Sequence, residues 1–171
     1  MSLQQLFSDD GVLFGRDIDP EVNVYLQQAV HATGEADLPK AEELLWSAQR
    51  LKPEQLEVYI ALYKFYFYKG RLPDAERVAR LGLEMSAQVG GFSADWMQLS
   101  PESAVWDRPN GAERVYLYTL KALAFIYLRR MKFADSQQVL DKLQELDPLD
   151  QVGGSVIREV AAAMQELEHE P

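Results

Sequence analysis

Three stretches of this sequence repeat one pattern of residue sizes. They read Leu38-Pro-Lys-Ala-Glu-Glu-Leu-Leu45, Leu72-Pro-Asp-Ala-Glu-Arg-Val-Ala79 and Phe133-Ala-Asp-Ser-Gln-Gln-Val-Leu140. Each begins with a large apolar residue and places a small residue three positions later, at Ala41, Ala75 and Ser136. Ala41 and Ala75 are 34 residues apart, and Ser136 follows Ala75 by 61, which is the same period plus an insertion of 27. This spacing predicts stacked helical hairpins, in which small residues allow two helices to approach closely.

Helix boundaries flank each stretch. An apolar helical segment precedes each one, and the segment at 56–70 ends at Gly70, because glycine adopts a left-handed conformation without steric penalty. Asp19-Pro20-Glu21 and Ser100-Pro101-Glu102 each combine a capping side chain, a proline and an acid, which predicts two further helix starts. Residues 151–169 predict a final amphipathic helix, with Ser155 as its capping residue, that closes the end of the stack.

The pattern resembles the tetratricopeptide repeat (TPR) family over about two-thirds of the chain. The matching residues are Leu26, Val30, Gly34, Ala41, Leu45, Ala48 and Pro53, then Tyr59, Leu62, Tyr66, Gly70, Ala75, Ala79 and Gly82, then Leu120, Leu123, Ala124, Tyr127, Ser136, Leu140, Leu143 and Pro148. Departures are Tyr63 at a position where a small residue is usual, Ser136 in place of alanine, and the missing closing proline of the second repeat.

The resemblance implies an all-α fold: a TPR-like solenoid of helical hairpins wound as a right-handed superhelix, with a C-terminal capping helix. The expected organisation is an N-terminal arm at 1–19 and a single domain at 20–171. That domain would contain repeats at about 20–53, 56–87 and 117–148, an insertion at 88–113, and the capping helix at 151–169.

The composition restricts the classes of function. The chain has a formal net charge of −10 and a pI near 4.7, so we expect it to bind neither nucleic acid nor anionic membranes. It has no cysteine, no signal-peptide pattern and no membrane-length apolar run, and we expect a cytoplasmic protein. Two histidines without a nearby partner and no catalytic motif lead us to expect no metal, no cofactor and no enzymatic activity.

The resemblance also implies a polypeptide-binding groove lined by the first helix of each repeat. It assigns to this groove Val24, Gln28 and His31, then Glu57, Ile60, Lys64, Phe67 and Tyr68, then Tyr118, Lys121, Phe125, Leu128 and Arg129. The expected ligand is an extended or helical segment with apolar anchors and an acidic residue or two. The helix at 56–69 is apolar or aromatic almost all round, so it is either core on both sides or has one face that awaits a partner.

The insertion at 88–113 contains turn residues but also Trp96 and Trp106, which a disordered linker would lack. These two side chains either cover an apolar flank of the second repeat or contact a partner directly.

Protein–protein interaction, as an adaptor, scaffold or assembly factor, is the function that this pattern favours. One alternative is a bacterial secretion-type chaperone for an apolar client, because a small acidic chain with three such repeats is similar to the translocator chaperones of type III secretion. Another is a homo-oligomer, a homodimer for example, that buries the aromatic face against a second copy.

Overall fold

The computed structural model describes residues 17–169, and this range contains seven α-helices, one 3₁₀ turn and no strand. The all-α prediction is therefore confirmed for this range, while residues 1–16 of the predicted N-terminal arm lie outside it. The helices are α1 (Pro20–Gly34), α2 (Leu38–Leu51), α3 (Glu57–Tyr68), α4 (Leu72–Gly90), α5 (Ala112–Arg129), α6 (Phe133–Leu146) and α7 (Gly154–His169). The described part of the chain divides into two compact units, and the boundary between them falls between Met85 and Ser86, within α4.

The helices form three pairs, and within each pair the two helices are joined by the same kind of three-residue turn. The middle residue of each turn has a left-handed backbone: φ is 61° at Ala36, 72° at Gly70 and 60° at Met131. In each turn the amide of the last turn residue donates a hydrogen bond to the carbonyl oxygen of the residue five positions earlier, a pattern that ends many α-helices. These bonds are Asp37 N to Ala32 O, Arg71 N to Tyr66 O and Lys132 N to Tyr127 O, each 2.9 Å long. The sequence period thus corresponds to one turn geometry used three times.

The small residues of the repeated stretches are buried, as close helix packing requires. Ala41 and Ala75 are fully inaccessible and Ser136 is 1% exposed. The Ser136 hydroxyl donates to the Ala124 carbonyl at 2.8 Å, so the polar atom that replaces alanine's hydrogen is satisfied within the core. Serine is therefore compatible with this position.

Helices α3 and α5 are buried around most of their circumference. In α3 every residue from Val58 to Phe67 except Ala61 is buried, and in α5 every residue from Val115 to Leu128 is buried. Of the two interpretations of the aromatic helix, burial supports core for most of α3, with the half-buried Ala61 as the exception.

The insertion is an ordered segment at 91–111, shorter than predicted because α4 continues to Gly90 and α5 begins at Ala112. Its centre is an aromatic cluster in which the Phe92 ring lies 5.0 Å from Trp106 and 5.1 Å from Tyr116. The Trp106 indole N–H donates to Ser100 O at 3.0 Å, and the Tyr116 hydroxyl donates to Ala94 O at 2.9 Å. Trp106 is buried and Trp96 is half-buried.

Two predicted helix starts have different outcomes. Asp19 caps α1 by accepting from the amides of Glu21 and Val22, and the hydrogen bonds from Val22 and Glu21 lower the pKa of its carboxyl group. Residues 100–102 form a turn instead of a helix start, and the short helical element of the insertion is the 3₁₀ turn Trp96–Gln98. The prediction at 100–102 was wrong because a capping pattern is also satisfied by a hydrogen-bonded turn.

The capping helix α7 begins at Gly154, three residues later than predicted, because a turn at 147–153 precedes it. Asp150, and not Ser155, is the capping side chain, since it accepts hydrogen bonds from both the amide and the hydroxyl of Ser155. Burial alone would raise the pKa of Asp150, but these bonds hold it below its ordinary value. The buried face of α7 includes Ile157 and Ala161.

Candidate binding groove

A concave pocket of about 450 Å³ lies in the first unit between α1 and α3. One wall is formed by α1 and the opposite wall by α3, while α2 contributes one residue and the segment before α1 contributes another. The lining residues are Asn23, Leu26, Gln27, Ala29, Val30 and Thr33 from α1, Ala61, Lys64 and Phe65 from α3, Leu45 from α2, and Ile18.

Hydrogen bonds fix the start of α1 against the start of α3. The side-chain oxygen of Gln55 accepts from Asp19 N at 3.0 Å, and its amide nitrogen donates to Asp17 O at 3.4 Å. The Lys52 ammonium lies 3.6 Å from the Asp19 carboxylate. Ile18, between the two anchored residues, is thereby held at the edge of the pocket.

A polar network joins α2 to the end of α3. The Trp46 indole donates to the Tyr66 hydroxyl at 2.7 Å, and this hydroxyl donates to Glu42 at 2.8 Å. Arg71 donates to both oxygens of Glu42, at 2.6 and 3.2 Å, and its guanidinium lies 4.7 Å from the centre of the Tyr66 ring. The bond from Arg71 holds the pKa of Glu42 below its ordinary value against the effect of burial, and burial raises the pKa of Tyr66. These hydrogen bonds therefore fix the end of α3 against α2.

The inner surface of the pocket is apolar and its rim is mostly polar. Leu26, Leu45 and Phe65 are buried side chains of the wall, while Asn23 and Gln27 are exposed at the rim. Val30 is also at the rim and is 67% exposed. Such a surface can accept apolar side chains and offer amide hydrogen bonds to the backbone of a bound segment.

One of the thirteen predicted groove residues, Lys64, lines this pocket. On α1 the predicted residues Val24, Gln28 and His31 are exposed but lie outside it, and His31 instead pairs with Glu35 at 3.1 Å. The lining positions on α1 are shifted by one residue from the predicted ones, to 23, 27 and 30. The sequence signal that could have found them is the helical spacing of the apolar residues Val22, Leu26, Ala29 and Ala32. All four are buried, and they fix the rotation of the helix.

Five predicted groove residues are core residues, which corrects their assignment to a solvent-facing surface. They are at most 5% exposed, because α3 and α5 are buried nearly all round: Ile60, Phe67, Tyr118, Phe125 and Leu128.

The other predicted positions are distributed differently. Tyr68 and Arg129 are exposed and Glu57 is half-buried. Lys121 is buried, and its ammonium lies 5.8 Å from the centre of the Tyr118 ring.

Within residues 17–169, no group of three or more His, Cys, Asp or Glu side chains is placed to hold a metal ion. No helix in the same range combines the length and apolar character needed to cross a bilayer.

Comparison with known proteins gives one informative match. No protein-family model matches the sequence, and no solved structure matches it. The chain is 30% identical over 165 residues to the uncharacterized 19.8 kDa protein in the nifW 5' region of Azotobacter chroococcum mcd 1, a match that covers 95% of this chain and 89% of that protein. The chain therefore belongs to the same family as this Azotobacter protein.

Proposed function

We propose that this protein is a non-catalytic interaction module, an adaptor or assembly factor, that binds a polypeptide segment of a partner protein in the groove between α1 and α3. The observation that carries the proposal is the apolar pocket of about 450 Å³ with an exposed valine, Val30, at its rim. A concave apolar wall with polar groups and one accessible apolar side chain at its rim is the form that ligand-binding sites commonly take.

We further propose that the three helical pairs are TPR-like repeats. Support comes from the identical left-handed turns at Ala36, Gly70 and Met131, which follow the sequence period. In the TPR family the first helix of each pair lines the ligand groove, and α1 and α3 are the first helices of the first two pairs.

The character of the groove indicates the chemistry of the partner segment. Its volume suits one or two large apolar side chains, and Asn23 and Gln27 can bond the backbone between them. Lys64 also lines the groove, where it is 8% exposed.

Two valines on α1 provide a matched pair of variants. Val30 is 67% exposed and lines the pocket, whereas Val24 is 54% exposed and lies outside it. Val30→Asp should abolish co-purification of the partner with the full chain from the native host. The bound partner would bury the introduced carboxylate, and removing this charge from water is costly. Val24→Asp adds the same charge to the same helix and should leave the partner bound.

Mass spectrometry of the captured proteins and circular dichroism of both variants complete the experiment. Equal retention, or equal loss with helicity preserved, would show that the pocket is not the binding surface. A partner that is unstable on its own would favour a secretion-type chaperone, and a doubled mass in light scattering would favour a homodimer.

A further inference from the structure

The insertion forms one side of a second pocket, of about 340 Å³, in the second unit. Pro101 and residues 104–107 of the insertion supply one wall, and the end of α6 with the turn after it supplies the other. The site shares no lining residue with the groove between α1 and α3, so it does not depend on the function proposed for that groove.

The insertion wall is held rigidly. Trp106 packs in the aromatic cluster and donates to Ser100 O, as described above, which fixes the residues on either side of it. From α6, outside the pocket lining, the Lys142 ammonium donates to Leu99 O at 2.7 Å and ties this helix to the insertion. Fixed walls lower the entropy cost of binding, because the site is already ordered before a ligand arrives.

The pocket combines exposed apolar side chains with carboxylates. Val105 and Leu149 are among its lining residues and are 50% and 77% exposed. The described lining residues include Asp107, Glu145 and Asp147 and no lysine or arginine.

The surroundings of these carboxylates differ. Asp147 accepts from the amides of Gln151 and Val152, and Glu145 pairs with Lys142 at 2.8 Å. Asp107 is exposed at the rim, beside Val105. It is therefore the carboxylate best placed to meet a charge on a ligand.

We propose that the insertion builds a second docking surface for a positively charged amphipathic segment of a partner protein. The segment places one aliphatic side chain between Val105 and Leu149 and a lysine or arginine beside Asp107. Carboxylates at the edge of an apolar cleft attract such a segment and disfavour an acidic one, and the net charge of −10 strengthens both effects.

The test uses the full chain and two fluorescently labelled synthetic peptides of 16 residues. One peptide carries leucine and lysine at helical spacing, and the other has glutamate in place of every lysine. Binding is measured by fluorescence anisotropy at about 0.15 M salt, where charges more than about 8 Å apart in solvent are largely screened. The lysine peptide should bind, and the glutamate peptide should not.

Three variants locate the site. Asp107→Lys should weaken binding of the lysine peptide about tenfold, and Leu149→Ser should weaken it about fivefold. Glu102→Lys is the matched control, because Glu102 is exposed on the same insertion, lies outside the pocket and undergoes the same change in charge. It should change the affinity less than twofold.

Three results would each overturn the proposal. Equal losses for Asp107→Lys and Glu102→Lys would show non-specific attraction to an acidic protein. Unchanged affinity for Leu149→Ser would show that the apolar cleft is not used. If the glutamate peptide bound as tightly as the lysine peptide, the carboxylates would not select the charge of the ligand.

Discussion

Met131 occupies a position in the third hairpin turn where glycine should be more stable. Its φ of 60° lies in the left-handed region, and the equivalent residue of the second hairpin is Gly70, with φ of 72°. The Cβ atom of methionine is sterically crowded in this conformation, and glycine has no Cβ atom. We therefore predict that Met131→Gly stabilises the protein.

The magnitude follows from three contributions. Relief of the left-handed conformation gains roughly 1–2 kcal/mol. The greater freedom of glycine in the unfolded chain costs about 0.4–1 kcal/mol. The Met131 side chain is 59% exposed, so its removal loses little packing. The midpoints of these two ranges differ by about 0.8 kcal/mol, and this net gain corresponds to a rise in Tm of roughly 2–3 °C for a protein of this size.

Urea denaturation followed by circular dichroism measures the change in the free energy of unfolding. Gln138→Gly is the matched control, since Gln138 is exposed in the interior of α6, where glycine should cost about 1 kcal/mol. Gly70→Ala should also destabilise, by a similar amount. If Met131→Gly lost as much stability as Gln138→Gly, the strain assigned to the left-handed turn would be wrong.

Two further predictions concern the core and the polar network. Phe67→Ala and Phe125→Ala should each destabilise the fold by roughly 3–5 kcal/mol, because both rings are buried, and a loss below about 1 kcal/mol in urea denaturation would contradict that burial. The pKa of Glu42 is lowered in the folded state from an ordinary 4.5, so its contribution to stability is present above about pH 4.5 and is lost as the pH falls through the folded-state pKa. Thermal melts from pH 7 to pH 3 should therefore show a shallower acid decline for Glu42→Gln than for the natural chain, and parallel declines would exclude this role.

The helical pairs were predictable because local signals agree with one another. Small residues at Ala41, Ala75 and Ser136, a glycine at position 70 and the Asp19-Pro20 cap all indicate the same boundaries. The left-handed backbone at Ala36 and Met131 was not readable from composition, since neither residue favours it. It became visible only in the structure, where both residues occupy the same turn position as Gly70.

The groove was harder to predict because it depends on how helices pack. A shift of one residue along α1 rotates a side chain by about 100°, which is why Gln27 lines the groove in place of the predicted Gln28. Aromatic side chains such as Phe67 and Phe125 fit a binding surface and a core equally well by sequence. Their burial decides between the two, and burial is a property of the whole fold.

The connections within the helical pairs all have three residues, whereas those between pairs, and before α7, differ widely in length. They span residues 52–56, 91–111 and 147–153. Evolutionary or engineered changes in length should therefore be tolerated between the pairs. An affinity tag or a fluorescent protein inserted between Pro109 and Asn110, both exposed, should give a folded product, whereas the same insertion at 130–132 should not.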